Sequence, residues 1–303
     1  LVSSNGVEVD VSAPDPGTVI DGLNADLEWT NDATSLTASW SGFKDDNSAI
    51  GYYEYAIGSD SGGTDVVDWT NVGKDSSATP TDLSLTDGDT YYSSVKAYDV
   101  VGNVSPVAIS NGITVDISAP KVVDINPSQN SVLSITDTSI ITVLFSEEVT
   151  DFEVGISSHY GSIEFGADHS VDGLYISLYP PLTSLDTLSL LLKNVTDVSG
   201  LVSEDTSYKF HAALLADYNY DSKVDVEDLS QFVSIWPGLD LGPVTGEIPY
   251  FTPQLDGVAN LRDVGVFTRM WHWSHGNTTV LARSFPNVGD DIDVEQSPQI
   301  LNI

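Results

Sequence analysis

The chain has 303 residues, 41% of them apolar, which excludes a chain too polar to fold and leaves room for two or three domains with their own cores. Against 45 Asp and Glu there are only 10 Lys and Arg, a net charge of −35 that excludes nucleic acid and anionic membranes as partners, since both need a basic surface. The absence of cysteine excludes disulfides, thiolate-held zinc and a cysteine nucleophile.

Residues 5–14 read NGVEVDVSAP and residues 111–120 read NGITVDISAP, with seven of ten positions identical. The offset is about one sandwich domain. The second copy closes a domain, so residues 1–14, with a strand over Val7–Ser12, are expected to be the last strand of a preceding repeat. No leader segment stands at Leu1, so the start reads as a processed or cut end.

Residues 15–119 carry short runs of alternating hydrophobicity, at Leu36–Trp40, Tyr52–Ile57 and Tyr91–Tyr98, punctuated by Gly62-Gly63, Asp87-Gly88 and Gly102-Asn103. This pattern predicts a β-sandwich. Trp40 fits a core tryptophan on the second strand, and Leu85-Thr-Asp-Gly-Asp-Thr-Tyr91 fits a tyrosine corner. In these residues the segment resembles a fibronectin type III domain, which implies a spacer or adhesive module. Asp45, Asp46 and Asn47 in one loop, and Asp99 and Asn103 in another, are residue types that bind calcium; here they are read as Asx-rich turns of an acidic chain.

Residues 120–214 give a second series of short strands at Val132–Ile135, Ile140–Phe145, Gly161–Phe165, Leu174–Tyr179 and Leu185–Leu192. Pro120-x-Val-x-x-Ile-x-Pro127 followed by Ile141-Thr-Val-Leu-Phe-Ser-Glu147 resembles bacterial Ig-like domains of cell-surface proteins. His159, His169 and His211 have no ligand spacing and read as surface histidines.

From 215 to 275 the period lengthens to that of a helix. Leu229, Phe232, Val233 and Trp236 are expected on one face of a first helix, and Leu261, Val264, Phe267 and Trp271 on one face of a second. An acidic loop precedes each. The first places Asp217, Asn219, Asp221, Asp225 and Asp228 at positions 1, 3, 5, 9 and 12 of a twelve-residue loop, with the Lys223 carbonyl at position 7. Calcium takes six to eight oxygens, and a curled loop running into a helix presents alternate side chains inward. The second loop, aligned on Asp256-Gly257, offers Thr252, Gln254, Asp256, the Val258 carbonyl, Asn260 and Asp263; its neutral first positions make it the weaker site. The paired loops, with Asp at position 12 and no entering helix, resemble a dockerin. The resemblance implies calcium as cofactor and a protein partner, cohesin-like or a neighbouring domain or subunit. His272 and His275 read as a solvated helix end. Residues 276–303, with Thr278–Arg283 strand-like and Ile300–Ile303 apolar, are a tail packing back or the start of a further β domain.

The expected fold class is therefore mainly β: two Ig-like or fibronectin type III-like sandwiches in tandem and a small α-helical module with EF-hand-like loops. No nucleophile elbow, phosphate loop or HExxH motif is present, so a non-catalytic segment is expected. The densest apolar run, Leu188–Leu192, is far too short to cross a bilayer. The even acidity suits a saline, extracellular or cell-surface setting in which calcium replaces disulfides as a staple. Three roles follow: a structural or adhesive surface segment, the ancillary region of a secreted polysaccharide-degrading enzyme, or a self-associating filament subunit joined by strand pairing.

Overall fold

The structure is a computed structural model that describes residues 6, 9–160, 163–236, 238–276 and 299–302. The strand expected over Thr278–Arg283 and the start of that expected over Val7–Ser12 lie outside the described residues. The chain is mainly β and divides into two compact units, Leu1–Ser118 with Val198–Leu201, and Ala119–Asp197 with Val202–Ile303.

In the first unit, β1 (Thr18–Asp21), β3 (Ala38–Ser41) and β6 (Ser77–Ala78) form one sheet, in the order β1-β3-β6. The facing sheet runs β2 (Trp29–Thr30), β9 (Ile113–Val115), β7 (Thr90–Asp99), β4 (Ile50–Gly58) and β5 (Val67–Asn71), with β8 (Ala108–Ile109) also on β7. Two sheets in this order, antiparallel except for the parallel pair β2–β9, make a sandwich of the fibronectin type III and Ig-like kind. The alternation of β7 decides which side chains face inward: Tyr91, Val95 and Ala97 are at most 5% exposed. Trp40 fills the centre, stacked on Tyr55 and meeting Tyr53 edge-on. Tyr91 reaches back five residues to accept the Thr86 N–H on its hydroxyl at 3.0 Å, the tyrosine corner.

In the second unit, β10 (Val122–Asn126), β12 (Ser139–Phe145), β15 (Gly173–Tyr179) and β14 (Glu164–His169) form one sheet in that order. The other runs β11 (Val132–Leu133), β17 (Thr206–Ala212), β16 (Thr187–Asp197), β13 (Val149–Ser158) and β20 (Gln299–Asn302). β20 thus folds back onto the edge of this sheet, pairing Leu301 with Val154 and Ile300 with Gly155.

After β17 come α1 (Val226–Ile235), the hairpin β18 (Val244–Glu247) and β19 (Tyr250–Pro253), and α2 (Leu261–Gly276). Their core continues that of the second sandwich: Leu215, Val224, Phe232, Phe251, Val266, Phe267 and Met270 belong to one buried cluster with Phe152, Leu188 and Phe210. The hairpin is the bridge. Phe251 is fully buried and its carbonyl accepts the Ser184 N–H, while Tyr250 stacks on Tyr160 with ring centroids 4.1 Å apart. α1 and α2 meet through Phe232 on Phe267, centroids 4.8 Å apart. α1 is narrower in its packing than its sequence predicts. Phe232 and Trp236 turn inward, but Leu229 and Val233 are exposed, because the inward side beside Phe232 is taken by the buried Asp228.

Candidate metal centre

The first acidic loop is organised by two buried carboxylates. Asp217 is 6% exposed and receives two backbone donors, Asp221 N–H on Oδ1 at 3.2 Å and Ser222 N–H on Oδ2 at 2.8 Å. Asp228 is wholly buried; it accepts the Tyr218 N–H at 2.7 Å and the Asp225 N–H at 2.9 Å, so it ties both ends of the loop together. Asp225 is the N-cap of α1, accepting the Glu227 N–H and completing a capping box with Asp228. Asn219 accepts the Asp221 N–H, and Asp221 accepts the Lys223 N–H. Val224, fully buried, donates its N–H to Ser274 Oγ on α2, which anchors the loop. Position 6 needs left-handed backbone, and Ser222 adopts it at φ 68°.

The charge in this loop is not neutralised by a base. Among the described residues no ion pair involves its carboxylates. Burial first, and the neighbouring Asp228 and Asp221 in addition, push the Asp217 carboxyl up from 3.8 to about 6, against the pull of its backbone donors. A divalent cation would reverse that shift. Among the described residues no three of these carboxylates lie within 4.8 Å of one another. Backbone N–H groups hold their oxygens around the turn instead.

The second loop repeats most of this frame, without the bonds that Asp221 N–H makes to Asp217 and Asn219, and not with the residues its sequence suggests. Gly257, at φ 75°, stands where Ser222 does. Val258 N–H donates to Asp256 as Lys223 does to Asp221, and Arg262 N–H donates to Asn260 as Glu227 does to Asp225. Asp263, wholly buried, accepts from Asn260 and Leu241 as Asp228 accepts from Asp225 and Tyr218. The partner of Gly257 N–H is Asp240 Oδ2 at 2.6 Å, the counterpart of Ser222 on Asp217. Asp240 therefore holds the first position. Its Oδ1 is shielded from solvent and receives no hydrogen bond.

Thr252 does not reach this loop. It lies on β19 with its hydroxyl 2.7 Å from that of Thr183, in the seam between hairpin and sandwich. Gln254 stands where the chain returns from the hairpin, its N–H on the Pro243 carbonyl. The hairpin splits the loop after Gly242, so the contiguous spacing of a twelve-residue loop misses Asp240. The available signal was the pair Gly242-Pro243 and Pro253, turn and strand-edge residues that bracket an insertion.

The histidines stay apart from these loops. His211 is buried beside Thr187, His159 and His169 sit edge-on to Tyr160 and Phe152, and His275 stacks on Trp271 with Nδ1 2.9 Å from the Trp271 carbonyl.

No protein-family model matches the chain, and no curated protein matches it. Solved structures do. The chain is similar to fibronectin(III)-like modules of CbhA from Clostridium thermocellum, at 16% identity and TM-score 0.33, over 65% of this chain and 94% of that one. It is also similar to the FN1–FN3 domains of chicken CNTN1, at 14% identity and TM-score 0.25, over 66% and 67% of the two chains. With the I-band fragment I67–I69 of titin the identity is 13% and the TM-score 0.37, over 67% and 66%.

Proposed function

We propose that this chain is a non-catalytic structural segment of a secreted or cell-surface protein, in which residues 215–275 form a dockerin-like calcium module seated on the second sandwich. The observation that carries the reading is the duplicated hydrogen-bond frame of the two loops. Each sets acidic and amide side-chain oxygens about a left-handed residue and then enters a helix, and oxygen ligands of this kind suit a hard cation. Asp217, Asn219, Asp221, the Lys223 carbonyl, Asp225 and Asp228 would hold one ion. Asp240, Asp256, the Val258 carbonyl, Asn260 and Asp263 would hold the other, with Gln254 adjacent.

The ions would neutralise buried carboxylates and stiffen the helix pair against the sandwich, a role suited to a spacer or adhesive array. Val226, Leu229 and Val233 on α1 and Leu261 on α2 are exposed apolar side chains, which supports a protein partner for the helices, cohesin-like or from a neighbouring domain. Such docking would also serve the ancillary region of a polysaccharide-degrading enzyme. The test is the thermal midpoint of the second unit with calcium and with chelator: the reading expects a clear rise with calcium, and an unchanged midpoint would refute it.

One observation favours the filament reading as a second role. β20 adds to the edge strand β13, and the same pairing made with β13 of another copy would link subunits. Multimers that grow with concentration and vanish on deletion of residues 299–303 would support it; monomers at every concentration would exclude it.

A further inference from the structure

The first sandwich carries a separate acidic cluster. Asp10 lies ahead of β1, Asp45 follows β3, and Asp99 ends β7, and the three carboxylates bring oxygens within 4.8 Å of one another. Oxygens bound to one calcium ion at roughly 2.3–2.6 Å sit no more than about 5 Å apart, so the spacing is that of a shared ion.

Each carboxylate is held in place by backbone. Asp99, 2% exposed, accepts the N–H groups of Val101, Gly102 and Asn103 on Oδ1 and the Asn103 amide on Oδ2. Asp45 accepts from Asn47 and Ser48 N–H. Asp10 accepts the Ser12 N–H on Oδ1, while its Oδ2 is sealed from solvent and receives no hydrogen bond. The hydroxyl of Ser48, in the Asp45 loop, is likewise sealed and unpartnered.

Among the described residues no ion pair involves these three carboxylates: Lys44, next in sequence to Asp45, pairs with Asp15 and Asp46 instead. Three negative charges this close repel strongly, and a sealed carboxylate oxygen without a donor carries a desolvation cost. A bound divalent cation removes both.

The decapeptide repeat points the same way. Asp116 occupies the place of Asp10 in the second copy and accepts the Ser118 N–H just as Asp10 accepts that of Ser12. In the second sandwich, Glu147 after β12 and Asp197 at the end of β16 bring carboxylate oxygens within 4.8 Å, at places matching Asp45 and Asp99.

We propose that Asp10, Asp45 and Asp99 form a calcium site that fastens the segment ahead of β1 to the two loops at that end of the first sandwich. It is independent of the helical loops, and the experiment keeps the two apart. The starting protein is the full chain carrying Asp217→Ala and Asp240→Ala, which disables the helical loops. Calcium binding to it is measured by equilibrium dialysis, with and without Asp10→Asn and Asp45→Asn. The added substitutions should abolish one bound ion; equal stoichiometry in both proteins would overturn the proposal. Hydrogen exchange on the unsubstituted chain gives a readout that no variant can spoil. Amides of Val101, Gly102, Asn103 and Ser48 should slow by about tenfold at calcium ten times the Kd, and exchange unchanged by calcium would overturn it.

Discussion

Gly257 donates its backbone N–H to Asp240 Oδ2 at 2.6 Å across seventeen residues of chain. The equivalent bond in the first loop, from Ser222 to Asp217, spans five. The difference is the inserted hairpin, and it assigns the first position of the second loop to an aspartate instead of a threonine. That raises the charge available to a cation, the property that most directly sets calcium affinity in such loops.

The consequence is a contrast between two substitutions. Asp240→Ala should remove one bound calcium from the second unit, while Thr252→Val should leave calcium binding intact and only weaken the hairpin seam by about 1 kcal/mol through loss of the Thr183 hydrogen bond. Calcium titration calorimetry on the two variants checks this.

Asp217→Ala combined with Asp221→Ala should mimic a chelator at the first loop. Saturating calcium at about 100 times Kd stabilises a binding fold by about 2.7 kcal/mol per site, roughly 5–10 °C for a unit of this size. The double variant should lose that increment, measured by differential scanning calorimetry with and without calcium.

The raised pKa of Asp217 makes the calcium effect depend on pH. Its folded value, about 6, lies above its ordinary 3.8. In chelator, this carboxyl favours the fold at low pH, and that contribution is lost as pH rises from about 4 through 6. Calcium competes with the proton and needs the ionised form. The midpoint difference between calcium and chelator should therefore be small at pH 5 and large at pH 7.5, which a series of melts at fixed calcium would show.

In the first sandwich, Tyr91→Phe should remove the tyrosine-corner bond and leave the Thr86 N–H without its acceptor. The expected cost is about 1 kcal/mol with no change in calcium response, read from urea unfolding of the first unit.

What was legible in the sequence follows from how local each signal is. The strands of the first sandwich alternate cleanly, and Trp40 and Tyr91 stand where their motifs place them, because burial on one face leaves a period of two. β13 was not legible: Phe152, Val154 and Ile156 alternate inward, but acids and Gly155 interrupt the run. The continuous core of the helices and the second sandwich was hidden too, since it depends on Phe251 and Tyr250 in a segment that reads as a Pro- and Gly-rich insert. The frame of the first loop was visible because all its residues are contiguous. Asp240 was not, and the Asp45 and Asp99 loops, though of calcium-binding residue types, read only as Asx-rich turns, because their meeting with each other and with Asp10 is assembled from distant segments.

The central claim is that two loops of one design bind calcium, and the most direct test is a calcium titration of the chelated protein followed through the amide resonances of Ser222 and Gly257. Both donate to the first-position aspartate of their loop, so both sense an ion at its carboxylate. Both resonances should shift and saturate at or below millimolar calcium. Resonances that stay fixed throughout the titration would contradict it.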